Sequence, residues 1–527
     1  MGTYFIRKKG ILYLKLPDLS NKLPEFFLLL IQIKGGVSKV MTNSPKAPIT
    51  IQDLKDWFKN SSDIHLKTKY FNGRTTSHTL VLVYCPNLVD MQIIFEVILP
   101  RMMDVALKED TITFDRLSSL MEITKLDDDK DIKNEVEQKL FSGELVIFNN
   151  ASNDLYFIPI SNPPKRSPEE SVSAPSIRGP RDGFVENISD NMALVRQRLK
   201  SSSLTSIEYT IGERSKTKIL LLYLDDIINP SILDVVQKRL ESLKIDILGS
   251  SNQLEEMIYD NPFSIMPLMG YFSRPEYVVE SLNQGRFAIL VDGNPTCLIG
   301  PTTLNQLLLT PEDAHNSFFY VSLVRILRIL SIGITIFLPG FYISLITFQP
   351  NQIPYTLLAT ITVSRLGLPL AAPLEAFIML TLFEVFKEVG VRLPKATGGF
   401  VSVLGGLFIG NAAIQAGLTS PNMMVIISIT FISGYTLVNQ NLAGNLALIR
   451  YFSLLLSSTL GFLGFFISFF FIATYILSLE TFGVPYMSVF SVPNKSDVIK
   501  IFIKLPYMLL KKRNLAYQPT DSDRQKE

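Results

Sequence analysis

The pattern of apolar and polar positions divides this chain more sharply than any local motif. Three stretches carry no charged side chain, residues 329–364, 396–449 and 451–479, and each exceeds the roughly 20 residues that cross a hydrocarbon core about 30 Å thick. The pattern predicts one helix over 329–348, ended by the sequence QPNQIP, and a pair over 398–418 and 421–440, parted by Gly417 and Ser420-Pro421. The run 451–478 reads as one long, tilted helix. Segment 369–390 gathers Glu384, Lys387 and Glu388 on one side of its helical projection, as an interfacial helix would. Arg325 and Arg328 precede the first span and Lys511, Lys512 and Arg513 follow the last. Both flanks therefore read as cytoplasmic, with an even number of crossings: four clear spans, or six if 354–366 also inserts.

Between the first two spans lies a short polar helix. Pro354 suits a first turn and Gly367 an end, and Thr356, Thr360 and Ser364 recur every four residues, followed by Arg365. About twelve residues make roughly 18 Å of helix, too short to span. Repeated around a symmetry axis, hydroxyls and a ring of arginines would suit a pore constriction, with Thr356, Thr360, Val363, Ser364 and Arg365 nearest the pore. The other reading has each hydroxyl bonded to the carbonyl one turn back and Arg365 snorkelling to the interface. Glu375, in LPLAAPLEAFIML, is an ionisable group in apolar surroundings. Such a group marks function or a structural ion pair, and Arg365 is the nearest partner. Glu375, Glu384 and Glu388 are the carboxylates placed to couple the short helix to the rest. Gly406 and Gly410 have the spacing that lets helices pack closely.

The first 320 residues read differently. TLVLVYC (79–85) and ELVIFNN (144–150) are strand-like and flank a helical pattern near 87–108. A Pro/Ser-rich linker, 161–176, separates an N-terminal module (1–160) from a second (177–320). In the second, 218–226 predicts a buried strand, 231–243 an amphipathic helix, KIDILG (244–249) another strand, and 287–300 a hairpin turning at Asp292-Gly293. Such alternation predicts two cytoplasmic α/β modules followed by a helical polytopic membrane domain over 321–490 and a polar cytoplasmic tail over 491–527.

Composition sharpens this picture. Residues 321–489 hold eleven charged side chains against 87 elsewhere, which argues for two solvents along one chain. A net charge of +2 gives no reason to expect nucleic acid. Two distant cysteines and three scattered histidines form no disulfide framework or metal-ligand spacing, so no cofactor is implied. The run FFLLLIQI (26–33) is too short to span, and the N-terminus lacks a secretory or myristoylation pattern. No phosphate loop or nucleophile elbow is found, and the chain does not read as an enzyme.

Several stretches resemble the A subunits of GerA-type nutrient germinant receptors of endospore-forming bacteria. They are IRGPRDGFVENISDNMALVRQRLK (177–200), ERSKTKILLLYLDDIINPSILDVVQKRLESLKID (213–246), DNPFSIMP (260–267), RPEYVVESLNQGRFAILVDGNPTCLIGP (274–301), PEDAHNS (311–317), and GLPLAAPLEAFIMLTLFEVFKEVGVRLPKATGG with its continuation to Pro421. The resemblance covers roughly 177–490. Where the family has Pro-Gln and then Thr-Glu-Arg-Pro-Asp, MPLMGYFSRPEYV keeps Arg274 and Pro275. The resemblance implies a receptor subunit of the spore inner membrane, working with a transporter-like B subunit and a lipoprotein C subunit. It also implies homo-oligomers in the lipid bilayer that release monovalent cations when nutrient binds. A secondary transporter and a non-conducting membrane scaffold are the alternatives; the membrane half shows no internal repeat of the kind transporters carry.

Overall fold

The computed structural model describes residues 5–8, 11–14, 49–72, 77–108, 118, 122–126, 132–162, 179–180, 182–392, 410–437, 439–488 and 495–524. The apolar run 26–33, the acidic loop 127–131, most of the linker and most of the span 398–418, with Gly406, lie outside them. The chain forms two units, Met1–Pro48 and Ile49–Glu527. In the first, β1 (Phe5–Lys8) and β2 (Ile11–Leu14) pair antiparallel.

The first module of the larger unit is an antiparallel sheet in the order β3-β4-β6-β7-β5, built from His65–Asn72, Ser77–Tyr84, Glu144–Asn149, Asp154–Pro159 and Thr124–Lys125. Both faces are covered, so its central strands are apolar at successive positions. Leu80, Leu82 and Tyr84 pack with Ile94, Ile98 and Met102, from a π-helical turn Ile93–Ile98 and α2 (Leu99–Lys108). Val81 and Val83 face α1 (Ile51–Trp57) and α3 (Ile132–Leu140) through Leu54, Val136 and Leu140. A capping box starts α1: Asp53 N donates to Thr50 Oγ1 at 3.3 Å and Thr50 N to Asp53 Oδ2 at 2.8 Å.

The second module repeats the design with the order β10-β12-β11-β9-β8. Its strands are β8 (Leu204–Ile211), β9 (Thr217–Leu224), β10 (Gly270–Phe272), β11 (Phe287–Val291) and β12 (Cys297–Gly300). One face takes α5 (Pro230–Ser242) and α6 (Ser251–Ile258), the other α4 (Ile188–Arg198) and α7 (Pro275–Asn283). Asn229 caps α5, accepting from Ser231 N at 3.0 Å, and Pro230 fills the first helical position, where its missing N–H costs nothing. The β11–β12 turn runs through Asp292-Gly293, with Gly293 at φ +82°, the left-handed conformation the dipeptide predicts. Every named ladder is antiparallel, so the layers are α/β in stacking without parallel crossovers. The predicted strand 244–249 is not one. Its Ile245 and Asp246 carbonyls accept from Glu213 N and Arg214 N in the β8–β9 turn, both at 2.9 Å, so the segment runs past the sheet end rather than along an edge.

The modules join through a parallel bridge between Ser61 and Ser206 and a buried ion pair. Arg196 donates from Nε and Nη2 to the Asp63 carboxylate at 2.9 and 2.8 Å, and from Nη1 to Ser201 O at 2.9 Å, beneath the Phe141 ring.

Beyond them, α8 (Phe318–Phe348) begins eleven residues before the predicted helix. Arg325 and Arg328 lie inside it because they have inward partners. Arg328 reaches Asp313 with two hydrogen bonds, 2.8 and 3.1 Å, and Arg325 Nη1 donates to Lys500 O at 2.9 Å. The short α9 (Tyr355–Ser364) follows, then α10 (Ala372–Arg392) and α11 (Pro421–Tyr435). Segment 369–390, predicted as interfacial, packs into the bundle as α10: Ala376, Met379 and Leu380 are buried with Ile343, Met423 and Ile427.

The last long helix, Gln440–Ser478, also departs from the expected single span. Gly461 has φ 63°, ψ −138°, a conformation closed to residues with a Cβ. Ser453 Oγ and Ser468 Oγ lie 3.2 Å apart, whereas fifteen residues of continuous helix extend about 22 Å. The chain therefore reverses at Gly461 into a hairpin, α12 (440–460) and α13 (462–478). Gly340 of α8 faces Ser453 and Ser457 so closely that a Cβ would meet their hydroxyls at 3.1 and 2.8 Å.

The predicted polar tail is packed in part: Lys504, Arg513 and Tyr517 are buried, while Met508, Leu509, Lys511 and Lys512 stay exposed. After α13, Phe482 and Val484 enter the second module's core, as does Tyr517. Helix α14 (Lys495–Phe502) lies against α8, and Arg524 pairs with Glu280 of α7 at 2.8 Å. The bundle thus starts and finishes on one module.

Candidate functional site

The site is built where three helix ends meet at the end of the bundle away from the soluble modules. Helix α9 brings Ser364 and Arg365, the first turn of α10 brings Glu375, and the N-terminus of α11 brings Thr419, Ser420 and Asn422. Ser420 caps α11, accepting from Met423 N at 3.3 Å. That cap leaves Ser420 N–H and its hydroxyl free to donate to Glu375 Oε1, at 2.6 and 2.8 Å, and Thr419 Oγ1 adds a third bond at 3.0 Å. Glu375 Oε2 accepts from Arg365 Nη1 at 2.7 Å. The carboxylate is fully buried, while the guanidinium remains 21% exposed and also reaches Leu370 O. A buried carboxylate needs such saturation, and the helix N-termini add favourable dipoles. Asn422 Nδ2 donates to Ser364 Oγ at 2.9 Å, tying the end of α9 to α11.

Along α9 itself the hydroxyls serve the helix. Thr360 Oγ1 donates to Thr356 O one turn back at 3.0 Å and Ser364 Oγ to Ile361 O three residues back at 2.8 Å. Ile361 is the buried residue of this helix; Thr356, Thr360 and Val363 are exposed, Val363 by 66%. Gly367 then takes φ +86° to turn the chain toward α10. The other predicted carboxylate, Glu384, belongs to a separate cluster about 13 Å further along α10. It accepts from Arg450 Nη2 at 2.5 Å, with Lys387 at 3.7 Å, and the Arg450 guanidinium lies over the Phe431 and Tyr451 rings. Glu388 is one helical turn beyond it. The structure thus brings Ser364, Arg365 and Glu375 together and leaves Glu384 and Glu388 apart. Thr419, Ser420, Asn422 and Arg450 were not anticipated as ligands. The only sequence signal was Ser420-Pro421, read as a turn, which is also the usual cap-then-proline start of a helix.

Among the described residues, two helical stretches are long and apolar enough to cross a membrane by length and composition, Phe318–Phe348 and Asn441–Ser478, the latter folded at Gly461. The profile of the Bacillus/Clostridium GerA spore germination protein matches residues 52–516. Spore germination protein XA of Bacillus anthracis is 41% identical over 90% of this chain and 96% of its own length. Spore germination protein KA of Bacillus subtilis is 31% identical over 92% of this chain and 88% of its own. Among solved structures, the N-terminal domain of the A subunit of the Bacillus megaterium spore germinant receptor GerK3 aligns at 26% identity over 49% of this chain and 97% of that domain, with a TM-score of 0.37. The match spans both soluble modules, the bundle and the returning tail, and the chain belongs to the GerA family of spore germination proteins.

Proposed function

We propose that the chain is a membrane subunit of a nutrient germinant receptor, that copies of it assemble around a cation pathway, and that nutrient opens this pathway. It would work in the spore inner membrane with a transporter-like B subunit and a lipoprotein C subunit. The observation that carries the reading is the state of α9. An aliphatic and hydroxyl-bearing helix of ten residues lies on the outside of the bundle with one buried side chain, yet its end is fixed by the Arg365–Glu375–Ser420 network. Exposed threonines on a helix too short to span are better accommodated against neighbouring protein or water than against lipid. Copies of α9 facing one another would line a narrow polar passage. The guanidinium, partly exposed and bonded beyond Glu375 only by a 3.5 Å contact to Leu370 O, can move while Glu375 stays seated, a candidate for the two-state element a gate requires.

The topology supports a polytopic reading. Helix α8 leaves the second module, α10 and α11 run antiparallel to it, and the α12–α13 hairpin goes out and back. The chain then re-enters the same module through Thr481, whose Oγ1 donates to Leu268 O at 2.9 Å. In this reading a membrane around the bundle is crossed an even number of times, with modules and tail on one side, and exposed Lys511 and Lys512 beyond the last helix favour the cytoplasmic side. The test is cation flux through liposomes carrying the reconstituted receptor, with Thr360→Ala, Val363→Ala and Arg365→Gln. Altered conductance or altered nutrient dependence is expected. Conductance unchanged in all three removes α9 from the pathway, and no conductance from the activated native complex favours a signalling scaffold.

A further inference from the structure

The bundle base carries an apolar surface that the fold itself leaves uncovered. Helix α14 is pinned beside the first turns of α8 by Arg325 Nη1 to Lys500 O (2.9 Å) and Lys504 N to Ser322 Oγ (3.0 Å). Lys504 Nζ is turned inward onto the carbonyls of Asp313, Ala314 and Asn316. With its polar atoms spent inward, the segment shows Ile499, Phe502 and Ile503 outward, and the next turn shows Leu509 and Met508, the last 84% exposed. Lys511 and Lys512 follow at once, both exposed. At the same height α8 exposes Phe319, Tyr320 and Leu323. Elsewhere at the base, the loop held by Tyr475, whose hydroxyl accepts from Ile265 N at 2.8 Å, presents Phe263 with 92% exposure.

We propose that residues 498–512, together with the Phe263 loop, form a collar that seats in the headgroup and upper acyl region of an anionic lipid surface. Two features select lipid as the occupant. The patch is continuous with the apolar outer face of α8, so a bilayer around the bundle meets it without a new interface, and exposed aromatic and aliphatic side chains at that level are what an interface favours. The lysine pair directly beyond the apolar turn matches negative headgroups, whose surface potential attracts basic side chains. Apolar area of this extent facing water would promote association. A second copy of the chain is the competing occupant.

The inference rests on the membrane reading above, so the test carries its own control. In the full-length receptor subunit with Trp57→Phe, a single tryptophan is placed by Met508→Trp or, as control, by Phe470→Trp on the exposed face of α13. Each is reconstituted in liposomes with and without phosphatidylglycerol, and quenching by lipids brominated at shallow or deep positions is measured. The collar predicts blue-shifted emission at 508, loss of most of it with shallow bromines, and weaker quenching when phosphatidylglycerol is replaced by a neutral lipid or when Lys511→Gln and Lys512→Gln are added. Emission at 508 that iodide quenches and bromolipid does not overturns the proposal. So does emission shielded from both, which means that protein covers the site. Quenching indifferent to headgroup charge overturns its anionic specificity. If 470 also escapes deep bromines, the membrane reading itself fails.

Discussion

Among the arginine–carboxylate pairs of this molecule, two are built for different duties. Asp63–Arg196, between the soluble modules, is closed on both sides: the side chains are 3% and 0% exposed, and the guanidinium bonds the carboxylate and two carbonyls under an aromatic ring. Arg365–Glu375, among the bundle helix ends, is lopsided. Its carboxylate is saturated by a cap and two hydroxyls, whereas its guanidinium faces partly outward. Removing two charges from water is repaid only by full satisfaction of both. The first pair meets that condition and fixes the modules; the second meets it on the acid side alone and leaves the base able to exchange partners.

The largest effect should come from the closed pair. Arg196→Met leaves Asp63 buried without its cation and is expected to cost about 3–5 kcal/mol, read as lowered thermal stability of the whole subunit, with Asp63→Leu in the same chain recovering much of it. Failure of the second change to compensate would mean that the hydrogen bonds, not the charge, matter there. Next, Glu375→Ala strands three donors and a cation and should cost about 3 kcal/mol, while Glu375→Gln keeps an acceptor for Thr419 and Ser420 and should cost about 1. Equal losses would contradict the asymmetry.

A third buried carboxylate extends the comparison to one whose bond is to a neutral partner. Glu255 of α6 accepts from the Tyr259 hydroxyl, and burial pushes its pKa up to about 7, above its unfolded value. Its folded state therefore holds a proton more tightly, and the stability this gives is present at pH 5 and lost as pH rises through 7. Wild type should lose about 2.5 kcal/mol more than Glu255→Gln between pH 5 and pH 8, seen in paired melting curves. As small as the Glu375→Gln cost is that of Arg365→Lys, about 1 kcal/mol, since one ammonium still reaches Glu375 but cannot also span to Leu370 O. If the guanidinium is the moving part of the proposed gate, this variant shifts the nutrient dependence of flux through the reconstituted receptor more than Glu375→Gln does.

The two pairs were unequally visible in the sequence. Arg365 and Glu375 are ten residues apart in an otherwise uncharged stretch, where any charge must find the nearest opposite one. Asp63 and Arg196 are two among many soluble charges in different modules, and only the folded chain brings them together. The central strands and the 292–293 turn follow from local chemistry and were legible. The segment 244–249 looked like a strand because alternation cannot tell a sheet edge from an extended chain bonded to a turn. The reversal at Gly461 was hidden because an apolar turn within lipid-length helices needs no polar residue, only one position free of a Cβ. The tail misled for the opposite reason: its lysines and arginines suggested solvent, yet Lys504 and Arg513 point inward to carbonyls.

That tail has a consequence for the order in which the protein is made. Tyr517, fully buried beside Arg286 and the second module's core, is synthesised after every helix of the bundle. Phe482 and Val484, also part of that core, arrive only once the α12–α13 hairpin is complete. The module that emerges from the ribosome early thus waits for residues some two hundred positions later to close it. A chain that stalls before them keeps an open apolar seam where those rings belong, and so carries its own mark of incomplete synthesis.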